Sequence, residues 1–228
     1  MTFLQHLLII FFQLFVLFWL TRVTLRSLFK LLRSIFKKDQ IIYSIIALIY
    51  FPGTVLHELS HMIAALLLLL RVTDVHVFPT WKDNVIILGR VLYEKKDVLR
   101  SILVGVAPLF GGIIFLGWLS VLDVGTSSNL LLQIIVIYLV FAISSTMFSS
   151  KQDLVDFLYV IPVGIVMTIA YYIFQPDFSL ISKLIGDLEA PRKILYAVTK
   201  YLLVSISIHT IFIIIVMSGW FIKNKLIK

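Results

Sequence analysis

The feature that most constrains this fold is a series of apolar stretches, each long enough to cross a lipid bilayer. Residues 3–20 form an uncharged run of this kind, and further mainly apolar stretches follow at 41–70, 98–122, 129–147, 154–174 and 194–222. A helix needs about 20 apolar residues to cross the bilayer core. Hydrophobic residues make up 61% of the 228 positions and charged residues 14%, against about 25% charged in soluble domains. The sequence therefore predicts an all-α polytopic membrane protein with about six transmembrane helices.

Charged and turn-forming residues organise the rest of the chain. We interpret residues 1–228 as a single integral membrane domain of a prokaryotic plasma membrane. Residues 1–40 comprise an N-terminal anchor, retained rather than cleaved, followed by a basic amphipathic helix, and residues 194–222 form a C-terminal helix. Between residues 72 and 94, β-prone runs flank the turn-forming sequence PTWKDN, which predicts a small membrane-associated β-hairpin.

Basic residues of the N-terminal region follow helical spacing along one narrow stripe: Arg22, Arg26, Lys30, Arg33 and Lys37. Such a helix either lies on or rises from an anionic leaflet, or it extends the first span and its side chains snorkel to the interface. The net charge of +8 indicates anionic lipid headgroups as partners. Nucleic acid is excluded as a partner, because so little polar surface remains to bind it.

Pro52 and Gly53 interrupt an apolar stretch at residues 41–70 and predict a break or a helix start there. With six simple crossings, the basic segment at 22–38 and the C-terminal sequence KNKLIK fall on opposite sides of the membrane. A re-entrant segment at Pro52 would place both on the same side. The distribution of Lys and Arg between the two sides does not decide between these topologies.

The stretch FPGTVLHELSHMIAA, at residues 51–65, places three ionisable side chains in this apolar setting. His57 and His61 are four residues apart, so on a helix they share one face and can bind one zinc ion. Glu58, beside the first histidine, takes a proton from water as a general base. Ionisable residues within a membrane are costly, which favours a functional metal site over a structural polar cluster.

A catalytic zinc ion needs a third protein ligand and an open position for water. Because the chain has no cysteine, this ligand is His, Asp or Glu. Asp153 and Asp156 open the span predicted at 154–174, where a carboxylate can enter the membrane, and we expect Asp153 to be the ligand. Asp156 and His209 are the alternatives, and Asp153 also fits a helix start with Ser150.

Three elements, in this order, resemble the site-2 protease family of intramembrane zinc metalloproteases. They are the HELSH motif in an apolar helix, the β-prone segment at 72–93, and the sequence VAPLFG at 106–111, which is similar to the family's Gly-Pro-Leu-x-Asn element. The resemblance covers residues 50–157, within a core region at 41–174. It implies a zinc-dependent metallopeptidase in which an Asp of a later span, here Asp153, is the third ligand.

Pro108 frees a backbone carbonyl and kinks its span, and Gly111 and Gly112 let helices or a substrate backbone approach closely. We expect these three residues to bind substrate.

The predicted activity is hydrolysis of a peptide bond in or near the bilayer, with one zinc ion and a transmembrane or membrane-proximal peptide as substrate. A non-proteolytic metal-binding membrane protein and a zinc hydrolase of lipid-linked amides or esters are the alternatives. A transporter is disfavoured, because its ionisable groups would extend across the bilayer rather than concentrate at one place.

Overall fold

The computed structural model describes residues 3–82, 85–87, 89–94, 96–121, 129–148, 166, 169, 173, 174 and 189–226. Five helices and four strands have their bounds within this part of the chain: α1 (Phe3–Ile35), α2 (Asp39–Leu67), β1 (Val72–His76), β2 (Thr80–Lys82), β3 (Val85–Ile87), β4 (Arg90–Tyr93), α3 (Val98–Val121), α4 (Leu130–Thr146) and α5 (Glu189–Leu226). The prediction of a mostly helical chain with a small antiparallel β element is confirmed.

Four helices are long and apolar enough to cross a membrane: Leu8–Ile35 within α1, Asp39–Leu67, Val98–Leu119 within α3, and Leu195–Gly219 within α5. Helix α4 is also apolar but has only 17 residues. The span predicted at 154–174 lies outside the described residues, apart from four isolated positions. The described part of the chain is therefore compatible with a membrane protein and contains four such helices rather than six.

Helices α1 and α5 run parallel to each other. The Gln13 side-chain amide donates to the Thr199 carbonyl at 3.1 Å, and the Thr24 hydroxyl lies 2.9 Å from Nδ1 of His209. Because the paired positions increase together along both helices, the C-terminal ends of α1 and α5 lie at the same end of the bundle. The basic segment at 22–38 and the last turns of α5 therefore share one end, which six simple crossings would have separated.

Helix α2 continues through Pro52, so the predicted break at Pro52–Gly53 is wrong. A Cβ at Gly53 would overlap the Ala142 carbonyl and the Thr146 hydroxyl, which shows how closely α2 approaches α4 at this point. The Thr54 hydroxyl donates to the Tyr50 carbonyl at 3.2 Å within the same turn. Proline is tolerated within an apolar helix when neighbouring groups and tight packing stabilise the turn around it.

The basic segment forms the C-terminal half of α1, which is continuous from Phe3 to Ile35. Leu28 and Leu32 are buried against residues of α2, while Arg26 and Lys30 are exposed. Arg33 pairs with Asp39 where the two helices meet. The basic segment is therefore continuous with the first apolar run in one helix; whether its side chains bind an anionic leaflet or snorkel to the interface stays a prediction.

The β element is a nested hairpin in which β1 pairs with β4 and β2 pairs with β3, both antiparallel. Residues Thr80–Lys82, which were predicted as part of a turn, form β2. At the base of the hairpin, Arg90 donates to Asp74 at 2.5 Å and His76 Nδ1 lies 2.9 Å from the same carboxyl group. The hydrogen bond from Arg90, aided by the charge of His76, holds the pKa of Asp74 below its ordinary value of 3.8.

Helix α2 packs against both α3 and α4. The Tyr138 hydroxyl of α4 donates to the Ile49 carbonyl at 3.1 Å, and the Arg100 guanidinium of α3 donates to the Leu68 carbonyl at 3.2 Å. The largest apolar cluster joins α1, α3, α4 and α5, and Leu56 of α2 packs against it. These contacts hold α2 at its first half, at Leu56 and just beyond its C-terminal end.

Candidate metal centre

The three ionisable residues of the HELSH motif lie in the second half of α2, and His61 is six residues from the end of this helix at Leu67. His57 and Glu58 are buried, with 4% and 8% of their surfaces exposed. His61 is half-buried. Since side chains four residues apart on a helix share one face, the two imidazoles lie one above the other.

The two imidazole rings converge through the same ring atom. Nε2 of His57 and Nε2 of His61 are 3.2 Å apart, and the ring planes meet at 87°. Two nitrogens bound to one tetrahedral zinc ion stand about 3.3 Å apart, given Zn–N distances near 2.05 Å. The observed spacing agrees with this value within the tolerance of about 0.2 Å expected of a metal site. The pair of donors therefore fits zinc.

A backbone carbonyl of α3 orients the His61 ring. Nδ1 of His61 lies 2.8 Å from the Val104 carbonyl oxygen. Because a carbonyl oxygen only accepts, Nδ1 carries the proton and Nε2 of the neutral ring presents its lone pair toward His57. Metal-binding histidines are usually fixed by such a bond from the second ring nitrogen.

Pro108 explains why the Val104 carbonyl is available. Proline lacks an N–H, so within α3 it leaves the carbonyl four residues earlier without its helical partner, and that residue is Val104. The freed carbonyl that the sequence predicts is thus the acceptor for His61. Sequence reasoning did not identify Val104, although counting four residues back from Pro108 would have found it.

Glu58 lies beneath the hairpin. A Cβ at Gly89, between β3 and β4, would stand 2.5 Å from Cγ of Glu58 and 2.8 Å from its Oε1. The absence of a Cβ at Gly89 lets the hairpin backbone approach the Glu58 side chain this closely, and any larger residue would displace that side chain. Sequence reasoning missed Gly89, because an isolated glycine in a β-prone run indicates a close approach without showing to what.

Gly111 and Gly112, predicted to bind substrate, lie at contacts between helices. A Cβ at Gly111 would overlap the hydroxyl of Ser60, the neighbour of His61, and one at Gly112 would stand 2.8 Å from Cγ of Met147. Their role as substrate contacts, like that of Pro108, stays a prediction.

The predicted third ligand, Asp153, and its alternative Asp156 lie outside the described residues. Among the residues that are described, no third His, Asp or Glu joins His57 and His61 in a group that could hold a metal. The other alternative, His209, is buried elsewhere: Nδ1 lies 2.9 Å from the Thr24 hydroxyl and Nε2 lies 3.3 Å from the Ser145 hydroxyl. Both ring nitrogens of His209 are thus engaged by hydroxyl groups.

Comparisons of this chain with protein-family models, with curated proteins and with solved structures found no match. The geometry of His57, Glu58 and His61 carries the functional conclusion.

Proposed function

We propose that this protein is an integral membrane zinc metallopeptidase, similar to site-2 proteases, that hydrolyses a peptide bond within or beside the bilayer. The convergence of two imidazole nitrogens 3.2 Å apart, in an apolar helix that also buries Glu58, supports this proposal best. Ionisable groups in such a setting are costly and mark functional sites. Two imidazoles four residues apart with a glutamate between them form the ligand pair and general base of zinc peptidases.

Each residue has a distinct role in this proposal. His57 and His61 bind the metal through Nε2, and Asp153 is the third ligand. When bound, zinc supplies Lewis acidity and lowers the pKa of water to about 7. Glu58 accepts the proton of the attacking water and delivers it to the leaving amine. The Val104 carbonyl holds the His61 ring in its orientation.

The hairpin supports a peptide as the substrate. Because Gly89 brings the hairpin backbone against Glu58, a substrate that reaches the general base also meets the hairpin. Within the described residues, β4 pairs only with β1, which leaves its second edge for another strand. An extended peptide can add to such an edge through main-chain hydrogen bonds. We expect a transmembrane or membrane-proximal segment to unwind and bind there.

Metal analysis and cleavage of a model transmembrane peptide test the proposal on the purified protein. We expect one zinc ion per chain and cleavage in the wild type. Glu58→Gln keeps zinc and loses cleavage, because an amide does not accept the proton. His57→Ala and Asp153→Ala lose both zinc and cleavage. Asp156→Ala and His76→Ala, which changes an exposed histidine of the hairpin, retain both.

The same variants separate the competing functions. Full turnover by Glu58→Gln would refute the mechanism. Zinc binding without cleavage, together with normal function in cells after Glu58→Ala, would indicate a metal-binding membrane protein that is not a protease. Hydrolysis of a lipid-linked amide or ester that depends on Glu58, with no peptide cleaved, would change the substrate class.

A further inference from the structure

A line of basic side chains runs along the outer face of α1, and the metal centre does not involve it. We call Arg22, Arg26, Lys30 and Arg33 the basic ladder. All four side chains are exposed, and at 100° per residue they lie within a sector of about 80°. The whole of α1 contains no Asp or Glu.

The contacts between α1 and α5 show how deep the ladder lies. Thr24 bonds to His209, and His209 precedes Ile222, the last apolar residue of α5 before Lys223, by 13 residues. At about 1.5 Å per residue, this places Thr24 about 20 Å below that end. Arg22 then lies about 23 Å below it and Lys30 about 11 Å below it, since the helices are parallel. The ladder therefore runs alongside the apolar stretch of α5, toward its C-terminal end.

Within the described residues, only some of the positive charges of the basic ladder have a partner. Arg33 pairs with Asp39, and the Arg22 guanidinium lies 4.6 Å from the centre of the Phe18 ring. Among the described residues, no carboxylate forms an ion pair with Arg22, Arg26 or Lys30. Cations at hydrocarbon depth require either a counter-anion or access to the interface.

We propose that the basic ladder binds the phosphate of an anionic phospholipid, whose headgroup is drawn down along α1. Phe15, Trp19 and Leu25 are exposed beside the ladder and provide an apolar surface for the acyl chains. A second copy of the chain fits less well, because the exposed faces of the described spanning helices offer no carboxylate at this depth. Anionic headgroups, by contrast, are attracted by each basic residue near the membrane surface.

Tryptophan quenching by brominated lipids tests this proposal on the full chain. The protein has four tryptophans. Replacing Trp81, Trp118 and Trp220 by Phe leaves Trp19, which is 66% exposed and lies one turn before Arg22. The protein is reconstituted in phosphatidylcholine vesicles that contain the same mole fraction of either brominated phosphatidylglycerol or brominated phosphatidylcholine. We expect brominated phosphatidylglycerol to quench Trp19 more strongly, with a relative binding constant of roughly fivefold for each basic residue engaged.

A second reporter and two charge variants provide the controls. A variant that keeps only Trp118, which is 53% exposed on α3, should show no preference for either lipid. Arg22→Gln/Arg26→Gln/Lys30→Gln should abolish the preference at Trp19. The control Arg71→Gln/Lys96→Gln/Lys200→Gln removes three exposed charges elsewhere on the protein and should leave the preference at Trp19 intact. Arg22→Lys/Arg26→Lys keeps both charges and should retain the preference at Trp19, and added salt should weaken that preference.

Equal quenching of Trp19 by the two brominated lipids in the wild type would overturn the proposal. A preference that survives the removal of Arg22, Arg26 and Lys30 would also overturn it. An equal preference at Trp118 would overturn it too, because it would indicate a general surface effect.

Discussion

Replacing Pro108 by Ala should change zinc affinity and fold stability in opposite directions. The variant restores an N–H at position 108, which can donate to the Val104 carbonyl in the ordinary helical manner. That carbonyl now accepts from Nδ1 of His61 at 2.8 Å. An intact helical bond aligns the carbonyl with the axis of α3 and so turns it away from α2. His61 then loses the contact that sets its tautomer and orientation.

Two estimates give the expected loss of zinc affinity in Pro108→Ala. A neutral hydrogen bond contributes about 0.5–1.5 kcal/mol net. Losing the partner of a metal-binding histidine weakens metal binding by roughly 10–100-fold, which corresponds to about 1.4–2.7 kcal/mol. The ranges overlap near 1.4 kcal/mol, so we expect zinc affinity to fall about tenfold. The metal-free fold should become more stable, since proline costs about 3 kcal/mol relative to Ala in a helix interior.

The assay measures both quantities on the same preparation. Zinc affinity is obtained by competition with a fluorescent chelator in lipid nanodiscs, and stability by thermal unfolding of the metal-free protein. Pro52→Ala is the matched control, because Pro52 also lies inside a helix but frees the carbonyl of Leu48, about two and a half turns before His57. The control should gain stability and keep its zinc affinity.

Unchanged or tighter zinc binding by Pro108→Ala would refute the reasoning, whatever happens to stability. An equal loss of affinity in Pro52→Ala would show that straightening a helix, rather than the Val104 carbonyl, is responsible. Nitrogen NMR shifts of the His61 ring offer a direct readout, because the wild type should carry its proton on Nδ1.

Two further predictions concern the hairpin. Gly89→Ala should keep zinc but lower turnover on the order of 100-fold, because its Cβ, 2.5 Å from Cγ of Glu58, forces a displacement of about 1 Å at the general base. The control Gly219→Ala, where a Cβ meets nothing within 4 Å, should leave zinc binding and turnover unchanged. Full activity of Gly89→Ala would contradict this account. Because Arg90 lowers the pKa of Asp74 below 3.8, the ion pair should stabilise the hairpin base fully above pH 3.8 and be lost as the pH falls through the lower folded value. The protection of amides in β1 and β4, measured as exchange relative to the intrinsic rate at the same pH, should therefore fall in acid in the wild type, and an equal fall in Asp74→Asn would contradict this assignment.

Sequence reasoning succeeded where the governing rule is local. The spacing of His57 and His61 predicts a shared face in any α-helix, and the structure brings the two Nε2 atoms within 3.2 Å. The β-prone runs on either side of PTWKDN predict the hairpin, and β1 pairs with β4. The freed carbonyl at Pro108 was also predictable. The hydrogen bond from His61 to this carbonyl was not predictable, because it depends on where α3 packs against α2.

Sequence reasoning failed where tertiary packing overrides a local preference. Proline usually ends a helix, but α2 continues through Pro52, since Gly53 lets the helix pack tightly on Ala142 and Thr146. The residues PTW suggested a turn, yet Thr80 and Trp81 join a strand, which suits β-branched and aromatic residues. Asp153 stays a prediction, because a ligand from a distant span has no fixed spacing from HELSH.

The position of the imidazole pair along α2 bears on what the proposed cleavage would produce. His61 and His57 lie six and ten residues from the end of α2, or about 9–15 Å along its axis. A substrate helix cut at that level is divided unequally. One fragment keeps most of the membrane-crossing sequence and stays embedded, while the other retains only about two to three apolar turns. The shorter fragment has little hydrophobic surface to hold it, so the proposed cleavage would let it leave the bilayer on the hairpin side.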